Sequence, residues 1–285
     1  MGKNQKDLEL SFQERARIIN KFGGIIPTSI LSYDKSQTAI DYAAKNSYEE
    51  VKIQGPNSKH FKMSGQSVRR GALSRFPQNI GKILLAMYTE KGDTIYDPFA
   101  GHNSRMQLCY EMERSYIGVD ICESFMQMNQ EIAKNCKSLI NTSTIELYCK
   151  SSDNVPEIQN NSCDFTLTSP PYYDLEYYGN EPQQLGKAKT YQEFLSNISK
   201  HIVENYRILK SNAYCAYNIN DFKRGGVFVP YHIDIALIMQ KTGFILKDII
   251  IIDLGPNPLG ACFATQIEKL KIFPKRHEYV VIGQK

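Results

Sequence analysis

Long apolar runs are missing from this 285-residue chain, and none approaches the roughly 20 residues that a membrane-spanning helix needs. The segment from 1 to 14 is polar and charged, without the apolar stretch typical of a secretory signal. We therefore expect a cytoplasmic protein. Hydrophobic residues make up 42% of the chain, which is enough to fill the core of one large α/β domain with an appendage or of two small domains.

Paired metal-ligating residues are also missing. The seven cysteines form no CxxC pair and have no histidine nearby at ligand spacing, so we expect reduced, mostly buried thiols and no metal site. They are Cys109, Cys122, Cys136, Cys149, Cys163, Cys215 and Cys262.

A strong charge of either sign is absent as well, since the net charge is +4 and the pI is near 8.5. This balance permits a polyanionic partner without requiring one. Three basic clusters are candidate phosphate contacts, although each cluster by itself fits a solvated face equally well. They are Arg69 and Arg70 with Arg75, Lys223 with Arg224, and the group Lys269, Lys271, Lys275 and Arg276.

The first 74 residues have an irregular pattern, with helices predicted at 11–21 and 38–44 and turn residues between 55 and 67. We interpret 1–74 as an N-terminal extension that is either structural or in contact with a partner, and 75–285 as the main domain.

From Pro77 onward, helical and strand-like patterns alternate, which predicts a doubly wound, mostly parallel α/β sheet. The final apolar run and the last strand predict an antiparallel, hairpin-like edge. Strands are expected at 94–96, 116–120, 145–149, 163–167, 213–219, 244–254 and 279–282, and helices at 77–88, 104–113, 123–139, 191–209 and 229–241.

A rigid aromatic turn, Thr168 to Tyr172, follows the fourth of these strands. Pro170 and Pro171 fix φ and remove two backbone donors, so the strand cannot continue, and the ring of Tyr172 is held in one geometry. Open α/β sheets place ligands and chemistry at the carboxyl ends of their strands. The five residues alone fit a catalytic loop and a plain strand-terminating turn equally well.

A second loop, Asp97 to Gly101, ends the first strand and lies next to that turn across the predicted sheet. Gly101 allows a ligand to approach the backbone, and Asp120, at the end of the next strand, is placed to accept hydrogen bonds from a ribose diol. The chain has neither GxxxxGK[ST] nor, in this loop, GxGxxG. A carboxylate here repels a pyrophosphate but suits a cationic amino-acid tail, which favours S-adenosylmethionine over NAD.

These residues resemble the amino-methyltransferases that methylate exocyclic amines of DNA bases. The cofactor motif of that family is a DPFxG loop, found here as Asp97, Pro98, Phe99, Ala100 and Gly101, and its catalytic motif is [SDN]PP[YF], found as Ser169, Pro170, Pro171 and Tyr172. The resemblance covers roughly Arg75 to the C-terminus, and the two motifs together are far more specific than either one alone.

The resemblance implies a Rossmann-like methyltransferase fold with S-adenosylmethionine as cofactor. It also implies further cofactor-binding residues, namely Phe76 and Pro77 upstream of the cofactor loop, Asp120 and Ile121 at the ribose, and Ser152 and Asp153 near the adenine. The family loop usually continues as glycine, any residue, glycine and threonine, whereas His102, Asn103 and Ser104 follow Gly101 here. Because of this departure, the resemblance does not predict the exact conformation of the loop, but the predicted cofactor is unchanged.

The resemblance further implies that the target base is rotated out of double-stranded DNA. Tyr172 would stack on the base, while the Ser169 hydroxyl and the Pro170 carbonyl accept hydrogen bonds from its amine and orient it for direct methyl transfer. Serine at the first motif position usually accompanies cytosine N4 methylation, so cytosine is favoured and adenine N6 is the alternative.

Two other functions are compatible with these motifs. The first is an RNA or protein-glutamine methyltransferase, since such enzymes also carry a PPY-type loop. The second is a non-catalytic, methyltransferase-like subunit that binds DNA or a partner, in which the altered cofactor loop binds no cofactor. The segment that reads the DNA sequence is one of 1–74, 173–189 and 255–276. The sequence leaves open whether the protein is a monomer or a homodimer and whether it serves a restriction-modification system.

Overall fold

An eight-stranded sheet forms the centre of the computed structural model, with strand order β1-β11-β12-β8-β7-β4-β5-β6. The structure describes residues 10–22, 27–33, 61–63, 66–68, 76–102, 104–136, 140–173, 181–224, 226–255, 267–269, 271–273 and 275–285. The strands are β1 (Ile30–Ser32), β2 (Phe61–Met63), β3 (Gln66–Val68), β4 (Thr94–Asp97), β5 (Ser115–Asp120), β6 (Ile145–Cys149), β7 (Cys163–Thr168), β8 (Leu209–Ile219), β9 (Phe222–Arg224), β10 (Val227–Val229), β11 (Ile245–Asp253) and β12 (His277–Gln284).

Helices cover both faces of the sheet. They are α1 (Phe12–Lys21), α2 (Gln78–Tyr88), α3 (Ser104–Glu111), α4 (Glu123–Asn135), α5 (Tyr191–Ile208) and α6 (Tyr231–Thr242), with a 3-10 turn at Leu185–Lys187. One buried apolar cluster includes side chains of α5 and α6, and a second includes side chains of α2, α3 and α4. Because β7 (CDFTLT) is covered on both sides, five of its six side chains are buried, including the polar Thr166 and Thr168.

The predicted doubly wound sheet is confirmed. Strands β8, β7, β4, β5 and β6 are parallel, and the order changes direction between β4 and β7, where ligands bind in folds of this type. The antiparallel strand does not lie at the edge that the sequence suggested. It is β12, and it pairs with β8 on one side and β11 on the other.

The physical reason is an extra strand from the N-terminal region. Strand β1 pairs in parallel with β11, with Ile30 opposite Ile251, and forms the edge of the sheet. Asn79 in α2 also donates a hydrogen bond of 2.7 Å to the carbonyl of Ser32. Part of the predicted N-terminal extension therefore belongs to the central sheet.

The first predicted helix begins one residue later than expected, at Phe12, because Ser11 caps it. Glu14 N donates to Ser11 Oγ at 3.3 Å, and Ser11 N donates to the Glu14 carboxylate at 2.8 Å, which is a capping box. The helix predicted at 38–44 lies outside the described residues. Two short hairpins, β2–β3 and β9–β10, were not predicted from the sequence.

Four of the cysteines in the described residues are buried, namely Cys109, Cys122, Cys163 and Cys215, and the six cysteines described form no disulfide bond. Burial raises the pKa of Cys163 to about 12, so this thiol stays protonated. No helix among the residues with described positions is long and apolar enough to cross a membrane.

Candidate active site

An open cleft lies at the carboxyl ends of β4, β5, β7 and β8. Its volume is about 990 Å³, including the space at its mouth. One part is lined by residues of the cofactor loop and of the end of β5, and another part by the SPPY turn, which we define as Ser169 to Tyr172. The predicted site residues that line the cleft are Phe76, Pro98, Phe99, Gly101, Asp120, Ile121, Ser152, Ser169, Pro171 and Tyr172.

Five predicted site residues lie outside this lining, namely Pro77, Asp97, Ala100, Asp153 and Pro170. Pro77, Ala100 and Pro170 are buried next to lining residues, and Asp153 is exposed. Asp97 ends β4 with a fully buried carboxylate. The fold therefore brings both sequence motifs to one cleft, but it places single members of each motif in the protein interior.

Asp97 holds other protein groups rather than facing the cleft. Its Oδ2 accepts hydrogen bonds from Arg105 Nε at 2.6 Å and from the Tyr116 hydroxyl at 2.8 Å, and its Oδ1 accepts one from the Thr168 hydroxyl at 2.7 Å. These donors occupy the carboxylate, so the geometry gives Asp97 a positioning role instead of the predicted contact with a cationic amino-acid tail.

Arg105 holds the cofactor loop from inside. Its Nη2 donates to the carbonyls of Phe99 at 2.6 Å and Ala100 at 3.2 Å, while its Nε bonds to Asp97. The guanidinium is buried, and a buried arginine is stable only when its donors are satisfied in this way. Arg105 was not among the predicted site residues. Its hydrogen bonds fix the carbonyls of the loop, although the residues after Gly101 depart from the family pattern.

Gly101 lines the cleft with its backbone. Its φ of +53° lies in the left-handed region, which favours glycine, and an added Cβ would make ordinary contacts with the Phe99 carbonyl and Arg105 at 3.9 and 4.0 Å. Gly101 N donates to Asp120 Oδ2 at 2.8 Å, and Asn129 Nδ2 donates to the Gly101 carbonyl at 2.8 Å. The residues present thus form a cradle for a ligand.

Asp120 is fixed at the end of β5 by two backbone donors, Gly101 N and Cys122 N, each at 2.8 Å from one carboxylate oxygen. Burial raises the pKa of Asp120 to about 6, although these two hydrogen bonds oppose the shift. Each oxygen keeps a further lone pair for a hydroxyl. The carboxylate therefore fits the ribose of an adenosine cofactor.

Ser152 and His201 support the cofactor loop at the rear of the cleft. The Ser152 hydroxyl donates to the Pro98 carbonyl at 2.6 Å, and its oxygen lies 2.8 Å from His201 Nδ1. Because the single serine proton goes to Pro98, the network assigns a proton to His201 Nδ1 and leaves Nε2 as an acceptor. Burial lowers the pKa of His201 to about 4, so the ring is neutral near pH 7. His201 lies within an amphipathic helix, so no pattern in the sequence marked it as a site residue.

A polar cluster missed in the sequence lies beside the SPPY turn. Thr168 in β7 pairs with Tyr217 in β8, so the next residues, Ser169 and Asn218, lie side by side, and both line the cleft. Asn218 Nδ2 donates to Glu278 Oε2 at 3.2 Å, and Asn220 Nδ2 donates to Glu278 Oε1 at 3.4 Å. The carboxylate of Glu278 thereby orients both amides.

The two amide oxygens of this cluster, Asn218 Oδ1 and Asn220 Oδ1, are buried without a hydrogen-bond partner among the described residues. Burying a polar atom in this way costs free energy, on the order of 1–3 kcal/mol, unless a ligand or water satisfies it. Burial also raises the pKa of Glu278, partly offset by its bond from Asn218. The cluster is therefore suited to a ligand that donates hydrogen bonds.

Comparison with known proteins shows a family to which part of the chain is similar. The family model for N6/N4 DNA methylases matches residues 6–131. This match includes α1, the Phe76 segment, the cofactor loop and Asp120. No curated protein matches the chain.

One solved structure supports the fold, and two others have lower TM-scores. A putative methyltransferase from Bacillus halodurans matches with a TM-score of 0.50 at 10% identity, covering 72% of this chain and 98% of the other. A methyltransferase from Methanosarcina mazei, described as S-adenosylmethionine-dependent, has a TM-score of 0.49 at 16% identity, with 71% and 96% covered. A putative DNA modification methylase from Thermus thermophilus has a TM-score of 0.35 at 22% identity, with 45% and 47% covered. The predicted methyltransferase-type sheet is confirmed.

Proposed function

We propose that the protein transfers a methyl group from S-adenosylmethionine to an exocyclic amine of a base in double-stranded DNA, with cytosine N4 as the target. The observation that carries the proposal is the single cleft that contains both the Gly101–Asp120 cradle and the SPPY turn. A cofactor at one part of the cleft and an amine at the other would meet within it. The DNA methylase family model supports the substrate class.

The residues of the cradle fit the cofactor. Asp120 would accept hydrogen bonds from the ribose hydroxyls, the backbone of Gly101 would face the ligand without a side chain between them, and the rings of Phe76 and Phe125 offer apolar surfaces in the same lining. When bound, S-adenosylmethionine supplies an activated methyl group. The pyrophosphate of a dinucleotide fits less well, because the loop from Asp97 to Asn103 lacks the GxGxxG pattern that holds it.

The other part of the cleft suits an amine. The Ser169 hydroxyl and the Pro170 carbonyl would accept the amine's hydrogen bonds and orient its lone pair, with no covalent bond to the protein. Tyr172 would stack on the ring of the extruded base. The Pro171 carbonyl accepts a hydrogen bond of 3.2 Å from the buried Tyr231 hydroxyl, which holds the turn in place for this task. The amine's proton would leave after the transfer.

Cytosine is proposed because Ser169 occupies the position that is usually aspartate or asparagine in adenine-specific relatives. The acceptor oxygens of Asn218 and Asn220 are compatible with either amine. Adenine N6 is therefore the alternative that the experiment must separate.

The test has two parts. Purified protein is incubated with tritiated S-adenosylmethionine and, separately, with duplex DNA, total RNA and protein extract, and label is expected in duplex DNA. Sequencing of methylated bases in DNA from cells that express the protein then identifies the base and the recognition sequence, with N4-methylcytosine expected. Label only in RNA or in protein would contradict the DNA substrate, and N6-methyladenine alone would contradict the choice of base.

A Tyr172→Ala protein serves as the background control for both measurements. A protein that binds no cofactor by calorimetry but still binds DNA would instead be a non-catalytic subunit, and the catalytic proposal would then be wrong.

A further inference from the structure

A small hairpin beside the SPPY turn carries exposed apolar and basic side chains. It consists of β9 and β10, with Phe222 opposite Val229, Lys223 opposite Phe228 and Arg224 opposite Val227. Directly opposite residues of an antiparallel pair share a face, so Lys223 and Phe228 lie together on one face, while Phe222 and Val229 share the other. The hairpin is thus two-sided.

The inner face anchors the hairpin to the catalytic region. Phe222 is 8% exposed and packs against Tyr191 and Tyr231, with ring centroids 5.9 and 6.2 Å away. Tyr231 in turn donates to the Pro171 carbonyl of the SPPY turn. The guanidinium of Arg224 lies 5.1 Å from the ring centroid of Tyr173, the residue that follows the turn. The hairpin is therefore fixed relative to the SPPY turn through aromatic side chains.

The outer face and the tip are open to solvent. Phe228 is 53% exposed and Val227 is 67% exposed, and Lys223 is exposed beside them. Single exposed apolar residues are common on protein surfaces, but two adjacent ones at the end of a hairpin, next to a cationic side chain, form an amphipathic tip. Phe228 belongs to neither of the two buried apolar clusters that the described residues form.

The charge around this tip is positive. Residues 222–229 contain Lys223 and Arg224 and no acidic residue. Lys189 is also exposed. It lies near the hairpin, because its carbonyl accepts a hydrogen bond of 3.2 Å from the hydroxyl of Tyr173, whose ring contacts Arg224. This balance suits a polyanion.

Among the described residues, two carboxylates close to the hairpin are engaged inside the protein. Asp221, just before β9, is 5% exposed and accepts from His232 N at 3.0 Å and from its ring Nδ1 at 2.7 Å. Asp234 accepts from the Tyr191 hydroxyl at 2.6 Å. Because both carboxylates are bound by groups inside the protein, neither one offsets the positive charge at the tip.

We propose that the β9–β10 hairpin is a DNA-contacting wedge that docks on the duplex at the target base, with Phe228 stacking on the bases next to the position that the extruded base leaves and Lys223 contacting phosphate. The partner is duplex DNA, and the proposal rests on the function proposed above. Aromatic surfaces stack on bases of any sequence, and proteins that distort DNA often insert an apolar side chain between base steps. A position beside the SPPY turn is where such a side chain would act during extrusion.

The test measures DNA binding by fluorescence anisotropy with S-adenosylhomocysteine present. One probe is an unmethylated duplex that contains the recognition sequence, and the other is a single strand of the same sequence. Phe228→Ala is expected to raise Kd for the duplex by about 10-fold. The effect on the single strand should be clearly smaller, since no base pair has to be opened. A 2-aminopurine next to the target base should lose its fluorescence increase in this variant.

Lys223→Ala tests the phosphate contact separately. We expect the slope of log Kd against log salt to fall by about 1, with the loss spread evenly over different DNA sequences. Matched controls are Val203→Ala, an apolar side chain on α5 that is 56% exposed, and Lys134→Ala on α4, which pairs with Glu131. Both should leave Kd and the salt slope unchanged.

The outcomes distinguish the two proposals. If the unaltered protein neither binds nor methylates duplex DNA, the proposed function is wrong. If it does both, and Phe228→Ala and Lys223→Ala keep the Kd, the salt slope and the 2-aminopurine signal of the unaltered protein, then the function stands and the hairpin is not a DNA contact. Unchanged cofactor binding in each variant, measured by calorimetry, shows that the fold is intact.

Discussion

Thr168 donates a buried hydrogen bond of 2.7 Å to Asp97, and this contact joins the strand that ends in the cofactor loop to the strand that ends in the SPPY turn. Both side chains are 0% exposed. The bond is made to a carboxylate that also accepts from Arg105 and Tyr116, so the two motifs are fixed to one polar group. The spacing between cofactor and target base would therefore depend on residues that contact neither of them.

Thr168→Val should weaken cofactor binding and lower stability. The substitution keeps the volume of the side chain but removes a donor to a buried carboxylate, and we expect a loss of about 1–3 kcal/mol in the free energy of unfolding. The Kd for S-adenosylmethionine should rise, because the cofactor loop begins at Asp97. Urea unfolding and calorimetry measure the two effects.

Thr166→Val is the matched control on the same strand. Thr166 is also fully buried, but its hydroxyl donates to Asn205 Oδ1 at 2.5 Å and makes no contact with Asp97. This variant should lose stability to a similar extent and keep its affinity for the cofactor. Equal losses of affinity in both variants would show that Asp97 has no special role in positioning the loop.

Cofactor affinity should depend on pH through Asp120. The pKa of this carboxyl is raised from 3.8 to about 6, so it is protonated in the free protein below that pH and ionised above it. If the ionised form accepts the ribose hydroxyls, the Kd for S-adenosylmethionine rises as pH falls below about 6, by up to tenfold per unit. Calorimetry between pH 5 and 8 measures this dependence.

Asp120→Asn should bind the cofactor more weakly at pH 7.5 and show little change of Kd between pH 5 and 7. The neighbouring His201 has a pKa near 4 and stays neutral over this interval, so it cannot produce the same profile. A pH dependence that persists in Asp120→Asn would assign the titration to another group.

Tyr172→Ala should lower kcat/KM for DNA by about 10- to 100-fold through lost stacking on the target base. Tyr172 is half-buried in the cleft lining, and its ring packs edge-on to that of Tyr231, with centroids 6.2 Å apart. Tyr172→Phe retains the ring and should keep most of the activity. Near-normal turnover of Tyr172→Ala or of Pro170→Ala would contradict the role given to the SPPY turn.

Glu278→Gln should lower kcat while leaving the Kd for S-adenosylmethionine unchanged. The glutamine side chain has one acceptor oxygen instead of two, so either Asn218 or Asn220 loses its partner and is free to turn its carbonyl oxygen away. The pKa of Glu278 is raised by burial, so activity that needs the ionised carboxylate should rise with pH above the ordinary range of a glutamate.

The corresponding control is Glu131→Gln, an exposed residue of α4 whose charge pairs with Lys134. It should leave kcat and its pH profile unaltered. A Glu278→Gln protein with the kcat and pH profile of the unaltered protein would show that the polar cluster does not act on the substrate.

The order of the elements was predictable because its signals are local. Alternating apolar patterns predicted β6 at 145–149 without error, and α2 within one residue, since burial on one or two faces imposes these periods. The main departures were short strands. Strand β1 has only three residues and is held by pairing with β11, which follows it by more than 200 positions in the chain.

The two motifs of the candidate site could be predicted from the sequence, but the residues that hold these motifs in place could not. Gly101 and the prolines after Ser169 carry backbone constraints that are visible in the sequence itself. Arg105, His201 and Glu278 are ordinary residues of a helix or a strand in the sequence, and they gain a role only where the fold brings them to the cofactor loop or the SPPY turn.

The sequence by itself determined the strand-ending turns and the likeness to a methyltransferase sheet, because proline, glycine and apolar periodicity act over a few residues. The tertiary structure alone decided that Asp97 faces inward to Thr168 and that Asn218 lies beside Ser169. It also decided that the hairpin carrying Phe228 is fixed against the SPPY turn. These relationships join positions far apart in the chain, and they exist only once the parallel strands have paired.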